Sequence, residues 1–571
     1  MDGIRMQQPV YHDLPRRGIA FCPAFRRRGV KKEMTPGRGC GILGPDDARK
    51  RGRAAEPAAD GGTIMRECGI LMPVSSLPGP NGIGCFGEAA YHFVDFLAKA
   101  GQTIWQILPL SPTGYGDSPY QSCSAFAGNP YFISLDALAR QGLLKPAEYR
   151  RLPWGDDPET VDYGAVYNLR FPVLRKAFER FKAGCADQHG CALYLPDEFY
   201  AFTLKNSHWL PDYALYMAIK TEQGMKPWAQ WPAPLKNRDE AALKEYAAAH
   251  ADEILFWEFL QYEFTVQWQA LKAYANSKGV RIMGDIPIYV SADSADAWTG
   301  GKLFERDAEG GFARVAGCPP DYFAADGQLW GNPVYDWAYH EQTGYAWWIS
   351  RIRSALETYD LLRIDHFRGF DTYWAIPAGS TNARAGKWEN GPGMALFRAL
   401  EAALGKLPII AEDLGELFPS VRQLLAETGF PGMKVLQFAF SGGDSEYLPH
   451  NCLPNFVVYP GTHDNTTLAD WWENGATKAE KARVTRYLNL KKGDDAREAL
   501  IRAALGTTSE RVVIPMYDWL GIGAKAHLNT PGRLGGNWAW RAPKGFDSAR
   551  LAAAIRSECA RYYRVPAEDN R

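Results

Sequence analysis

The sequence predicts an α/β fold: a (β/α)8 barrel carrying a large, mostly helical insertion. Three observations lead there. Strand-like and helix-like segments alternate, the pattern of a parallel sheet with helical crossovers. Eight short apolar runs each end in turn or polar residues, the number such a barrel needs. The gap between the second and third runs exceeds 170 residues, too long for a single crossover, so it must hold a subdomain.

The runs are 69–74, 104–108, 280–286, 361–365, 407–412, 433–438, 455–459 and 511–515. Ala90, Phe93, Val94, Leu97 and Ala100 form a helical stripe between the first two. Phe264, Trp268, Leu271 and Ala275, closed by Gly279, form another that leads into the third. Inside the long gap, helices are expected near 171–182, 197–204 and 212–223. The expected organisation is one barrel over 65–565 with a helical subdomain inserted at about 137–275. Residues 1–64 stand apart. They hold 13 Lys and Arg against 7 Asp and Glu, with clusters such as Arg26-Arg27-Arg28, many Gly and Pro, and no amphipathic period. They read as a disordered basic tail, with Met65 as the expected natural start. A basic targeting arm is the rival reading, and no signal-peptide core is present.

The charge of 64 basic against 65 acidic residues gives −1 overall, which argues against a nucleic-acid or polyanion binder. The tail of +6 leaves −7 on the remainder. Apolar residues are 46% and charged residues 23%, an ordinary globular composition. No run approaches 18 apolar residues, so no membrane span is expected. Ten cysteines without a CxxC pair make no disulfide framework and favour the cytoplasm. Cys185, His189 and Cys191 lack a fourth ligand placed with them, so no metal site is expected. The surplus is aromatic, with 27 Phe, 28 Tyr and 19 Trp. Most belong to the core; any beyond core needs suit stacking on flat ligands, sugars among them.

One motif misleads. Gly82-Ile-Gly-Cys-Phe-Gly87 fits G-x-G-x-x-G, but seven residues including two prolines separate it from the strand before it. The next strand runs into Pro109-Leu110 with no acidic residue for a ribose. The chemistry lies elsewhere. The fourth run ends Arg363-Ile-Asp365-His366, the fifth ends Glu412-Asp413, and the seventh is followed by Gly-Thr-His463-Asp464. In a barrel, reactive residues sit at the C-terminal ends of several strands. One carboxylate there is more often a capped turn or an ion pair. Three in one pocket repel each other, which raises at least one pKa. A glycosidase needs that arrangement, with one group protonated as acid and one ionised as nucleophile.

Asp on the fourth strand, Glu on the fifth and Asp on the seventh resembles the α-amylase-like clan of retaining barrels. Within it the chain resembles the amylomaltase family, also called 4-α-glucanotransferase or disproportionating enzyme. The motifs carrying the resemblance run in order from Gly69-Ile-Leu to Trp538-Ala-Trp-Arg541. They include Ser75-Ser-Leu-Pro-Gly, Trp105-Gln-Ile-Leu-Pro-Leu, Asp117-Ser-Pro-Tyr-Gln121 and Ser124-Ala-Phe-Ala-Gly-Asn-Pro130. Gly284-Asp-Ile-Pro-Ile-Tyr-Val290, Pro319-Pro-Asp-Tyr-Phe323, Gly327-Gln-Leu-Trp-Gly-Asn-Pro333 and Asn529-Thr-Pro-Gly532 follow.

The resemblance implies that Asp365 is the nucleophile, Glu412 the acid/base, and Asp464 the third carboxylate, binding sugar hydroxyls and favouring the distorted ring. Arg363, two residues before Asp365 on the same strand face, would keep the nucleophile ionised. His463 would contact a sugar hydroxyl. Ser118, Tyr120, Tyr322, Phe323, Gln328 and Trp330 would line the groove and its covering loop, and Asn529 and Pro531 a flanking loop. The implied reaction moves a segment of an α-1,4-glucan to the 4-hydroxyl of another glucan or glucose through a covalent glucosyl-enzyme. It implies no metal or organic cofactor, and no nucleic acid or membrane as partner; maltooligosaccharides would be substrates. The sequence leaves the oligomeric state open. This chain departs from the family pattern at Cys85, where Asp is common, at Tyr517, where Gln often precedes the Asp, at His527-Leu528 for Arg-Met, and at Cys318. The alternatives are an α-1,4-glucan hydrolase on the same barrel and a non-catalytic glucan-binding protein.

Overall fold

A computed structural model describes residues 66–566, apart from 115, 188–192, 321–324, 416 and 534. The basic tail, the start at Met65, and the positions His189, Cys191, Tyr322 and Phe323 lie outside the described residues. Twelve strands are described: β1 (Glu67–Leu71), β2 (Ile104–Gln106), β3 (Arg281–Pro287), β4 (Arg314–Cys318), β5 (Gln328–Pro333), β6 (Leu361–Asp365), β7 (Thr372–Pro377), β8 (Lys387–Asn390), β9 (Ile409–Ala411), β10 (Gly432–Val435), β11 (Phe456–Tyr459) and β12 (Arg511–Pro515).

Eight of them form one sheet in the order β10-β11-β12-β1-β2-β3-β6-β9, with every pair parallel. Each of the eight predicted runs contributes one strand. The two ends of the sheet meet between β9 and β10. There the Ala411 amide donates to Pro431 O at 2.9 Å, and Asp413 Oδ1 accepts the Met433 amide at 2.6 Å. Closing the ring removes the edges an open sheet would expose. Asp413 therefore serves the barrel seam, while its neighbour Glu412 faces the cleft. Strands buried on both faces read as continuous apolar runs rather than alternating ones, which is why these eight could be recognised. At Gly69 a Cβ would lie 2.6 Å from the Ile104 Cβ, so β1 and β2 can approach only with glycine there.

The long gap is helical. Tyr163–Cys185, Asp197–Lys205, Leu210–Glu222 and Glu240–Ala249 precede the 27-residue helix Ala251–Ser277. That last helix packs on both Glu88–Lys99 and Leu210–Glu222, so it serves the barrel wall and the inserted layer at once. The first helix begins eight residues before the expected 171. Pro172 lies inside the helix, which starts earlier because Asp162 caps it by accepting the Ala165 amide at 2.9 Å. The sequence reading contained no second sheet. The structure has one, antiparallel, in the order β5-β4-β7-β8, built from the segments that follow β3 and β6. It stands at the C-terminal end of the barrel and carries Gln328 and Trp330.

Candidate active site

The carboxylates converge as the strand ends require. Asp365 closes β6, Glu412 follows β9, and Asp464 lies five residues beyond β11. Arg363 is buried, and its guanidinium donates to Asp285 Oδ2 at 2.6 Å and to Asp365 Oδ1 at 3.0 Å. Both Glu412 oxygens accept backbone amides, Oε2 from His366 at 2.7 Å and Oε1 from Leu414 at 2.9 Å. His366 reaches that geometry with φ at 55°, in the left-handed region, a strained conformation that its neighbours must hold. Burial drives its imidazole down to about 3, so it stays neutral.

Tyr120 joins the two sides of the site. Its hydroxyl donates to Asp285 Oδ2 at 2.9 Å and lies 2.8 Å from His463 Nε2. The rings of Tyr120 and His463 stack at 5.4 Å, with Trp538 5.7 Å from the tyrosine. His463 Nε2 is also 3.2 Å from Asp464 Oδ2, and Asn529 Nδ2 donates to Asp464 Oδ1 at 2.6 Å. Trp330 sets its edge against His366 at 4.8 Å, and its indole N–H donates to Gln328 Oε1 at 3.0 Å. Ser118 Oγ accepts the Tyr120 amide at 3.3 Å and so braces that loop. Pro531 is exposed on the loop beyond Asn529. Asp365, Glu412, Asp464, Arg363, His463, Tyr120, Asn529, Trp330 and Gln328 thus fall within one connected set.

Asp285 of β3 is the residue the sequence reading missed. It is 0% exposed and receives both Arg363 and Tyr120 on one oxygen. A continuous chain of contacts follows: Asp365–Arg363–Asp285–Tyr120–His463–Asp464. The signal was present, a carboxylate near the end of the third apolar run in Gly284-Asp-Ile-Pro. Replacing Asp285 by Asn keeps the shape but removes the charge that anchors Arg363. We expect kcat for glucan transfer to fall on the order of 10²-fold, the usual cost of a small misplacement of reacting groups. An unchanged kcat in a folded protein overturns this reading.

The three carboxyls differ in proton affinity. Burial raises Asp365 to about 6; Arg363 opposes the rise, and Asp285 and Asp464 add to it. Arg363 thus limits the shift rather than cancelling it. Burial and then Asp365 raise Glu412 to about 7, against Arg363 and the two backbone amides. Asp464 goes the other way: burial opposes its charge, but His463, Asn529 and Arg363 together hold it well below the usual carboxylate range. His463 is correspondingly raised, its burial outweighed by Asp464. Burial, then Asp285, keeps the Tyr120 phenol protonated as a donor. Near neutral pH one carboxyl is ready to donate a proton while two are anionic, the division glycosyl transfer requires.

The 4-alpha-glucanotransferase family profile matches residues 72–547. The 4-alpha-glucanotransferase of Clostridium butyricum is 45% identical over 486 residues, which is 85% of this chain and 98% of that protein. That of Thermus thermophilus is 45% identical over 502 residues, or 86% and 98%. The solved structure of amylomaltase from Streptococcus agalactiae in complex with acarbose aligns with a TM-score of 0.84 at 41% identity, covering 88% of this chain and 100% of that one. A profile spanning most of the chain, and relatives this similar over nearly their whole lengths, place the chain in the 4-alpha-glucanotransferase family.

Proposed function

We propose that the protein transfers segments of α-1,4-glucans to the 4-hydroxyl of an acceptor glucan or glucose by a retaining double displacement. The observation that carries this reading is the convergence of two carboxyls at the ends of neighbouring strands, Asp365 held by Arg363 and Glu412 by two backbone amides, with burial and the Asp365 charge raising Glu412. Glu412 protonates the leaving glycosidic oxygen while Asp365 attacks the anomeric carbon, forming a glucosyl-enzyme. The freed chain departs with that proton. An acceptor 4-hydroxyl enters, Glu412 takes its proton, and the α-1,4 bond is remade as Asp365 leaves. The bond energy is held in the ester, so no nucleotide sugar is consumed.

Asp464, kept ionised by His463 and oriented by Asn529, binds ring hydroxyls and favours the oxocarbenium-like ring. Tyr120 and Trp330 offer sugar-facing aromatic surfaces, with Ser118, Gln328 and Pro531 at the groove. Transfer outruns hydrolysis where the acceptor is bound and water excluded. Among the described residues no helix is long and apolar enough to cross a membrane. The seven described cysteines are all free thiols, which fits a cytoplasmic site of action.

Maltotriose tests the reading. It should yield glucose plus a ladder of longer glucans with little net gain in reducing ends. A rise in reducing ends equal to the bonds cleaved would make the protein a hydrolase.

A further inference from the structure

The loop Thr462–Leu468 carries His463 and Asp464, and its shape is held from outside. After β12 the chain turns into the short helix Met516–Leu520. Two consecutive residues there reach the two ends of the loop. The Tyr517 hydroxyl donates to Thr462 O at 3.0 Å, and Asp518 Oδ1 accepts the Leu468 amide at 2.7 Å. Both side chains are buried to 1% exposure.

Between these anchors the loop closes on itself. Asn465 Oδ1 accepts the Thr462 amide and hydroxyl, each at 2.9 Å, and Thr462 Oγ1 accepts the Asp464 amide at 3.3 Å. Gln437, following β10, donates to Thr466 O at 2.7 Å. The other Asp518 oxygen is buried without a partner. The nearest cation, Arg497, spends its Nη1 on the Asp518 backbone carbonyl at 2.9 Å rather than on the side chain. A buried carboxyl with one idle oxygen is costly unless it is protonated. Burial raises this one to about 7. Its work is therefore to accept an amide hydrogen bond, not to pair a charge.

We propose that Tyr517 and Asp518 form a clamp that positions the catalytic loop, setting where Asp464 and His463 meet the sugar. The clamp fixes the carbonyl before His463 and the amide four residues after Asp464, leaving little freedom for the segment between. Neither residue faces the cleft, so both are positioning residues that act through Asp464. The inference rests on the role given to Asp464 above. Asp464→Asn alone tests that role, so its failure and failure of the clamp can be told apart.

The test compares Asp518→Ala, Asp518→Asn and Tyr517→Phe by amide hydrogen exchange over 462–468 and by steady-state kinetics with maltotriose. Asp518→Ala removes the acceptor. It should speed loop exchange at least tenfold and lower kcat on the order of 10²-fold with less than a threefold change in KM. Asp518→Asn retains an acceptor oxygen and should restore most of that loss. Tyr517→Phe keeps the ring and should show a smaller loss, about fivefold, of the same kind. With an α-glucosyl fluoride donor, which keeps weak variants measurable, Asp518→Ala should add little in an Asp464→Asn background. Full additivity there, no recovery in Asp518→Asn, or unchanged loop exchange in Asp518→Ala overturns the clamp. Should Asp518→Ala fail to fold, the Tyr517→Phe and Asp518→Asn results decide it.

Discussion

Replacing Asp365 by Ala should reduce glucan transfer on the order of 10⁴-fold or more, because the proposed covalent intermediate forms on its carboxylate. The fold should survive. Arg363, the cation that would be left buried, still holds Asp285 at 2.6 Å, so no uncompensated charge appears in the core. The ionised Asp365 in fact costs stability. Its folded pKa of about 6 is above the ordinary value near 3.9. That cost begins as pH rises above the unfolded value and is complete once pH exceeds the folded one. Asp365→Asn should therefore melt at or above the parent temperature at pH 7, while being inactive. The cavity left by Asp365→Ala also offers a chemical test of its role. Azide supplied with an α-glucosyl fluoride donor should attack from the vacated side, giving a β-glucosyl azide. Retention of full turnover by Asp365→Ala, or recovery of the α-azide, would remove Asp365 from the nucleophile's place.

Much of this site was legible because barrel geometry makes position informative. A strand buried on both faces leaves an apolar run in the sequence, and the first polar residue after it faces the cleft. Asp464 follows in the loop five residues beyond β11, while Asp365 and Glu412 stand at such boundaries. Asp285 stands there too, but one carboxylate inside a run that continues with Ile-Pro-Ile carries no mark separating a buried ion-pair partner from a turn. Only the paired contacts to Arg363 and Tyr120 distinguish it. The Glu412-Asp413 pair shows the same limit. Which of two adjacent acids faces the cleft depends on strand register and on barrel closure between β9 and β10, neither of which is written in local pattern.

The second sheet escaped for a different reason. β4, β5, β7 and β8 are four to six residues long, with Gly in β4 and β5, and drawn from segments on either side of β6. Their pairing is antiparallel, and the central pair, β4 with β7, joins segments on opposite sides of β6, so no single window carries the sheet. The tail and the aromatics Tyr322 and Phe323 lie outside the described residues. The helix Tyr163–Cys185 begins before the expected stretch because the Asp162 cap fixes its start and Val166, Val173 and Leu174 are buried along it.

Removing Glu412 should produce a loss that depends on the leaving group, which no other residue in the site should do. With maltotriose the departing sugar needs a proton, and Glu412→Ala should slow transfer about 10³-fold. With α-glucosyl fluoride the first step needs no acid, so the glucosyl-enzyme should form and then wait for a base. Azide needs no base and should resolve it. Because Asp365 is intact, two inversions occur, and the product should be the α-azide, opposite to that from Asp365→Ala. The pH profile reports the same assignment. Parent kcat/KM should fall below about 6, where Asp365 gains a proton, and above about 7, where Glu412 loses one. The pair titrates together, so these limbs belong to both carboxyls jointly. Glu412→Gln should abolish the alkaline limb and leave the acid limb near 6, because Glu412 is still protonated where Asp365 titrates and the neutral amide leaves burial and Arg363 acting as before. A surviving alkaline limb, or the β-azide from Glu412→Ala, would assign the acid to another residue.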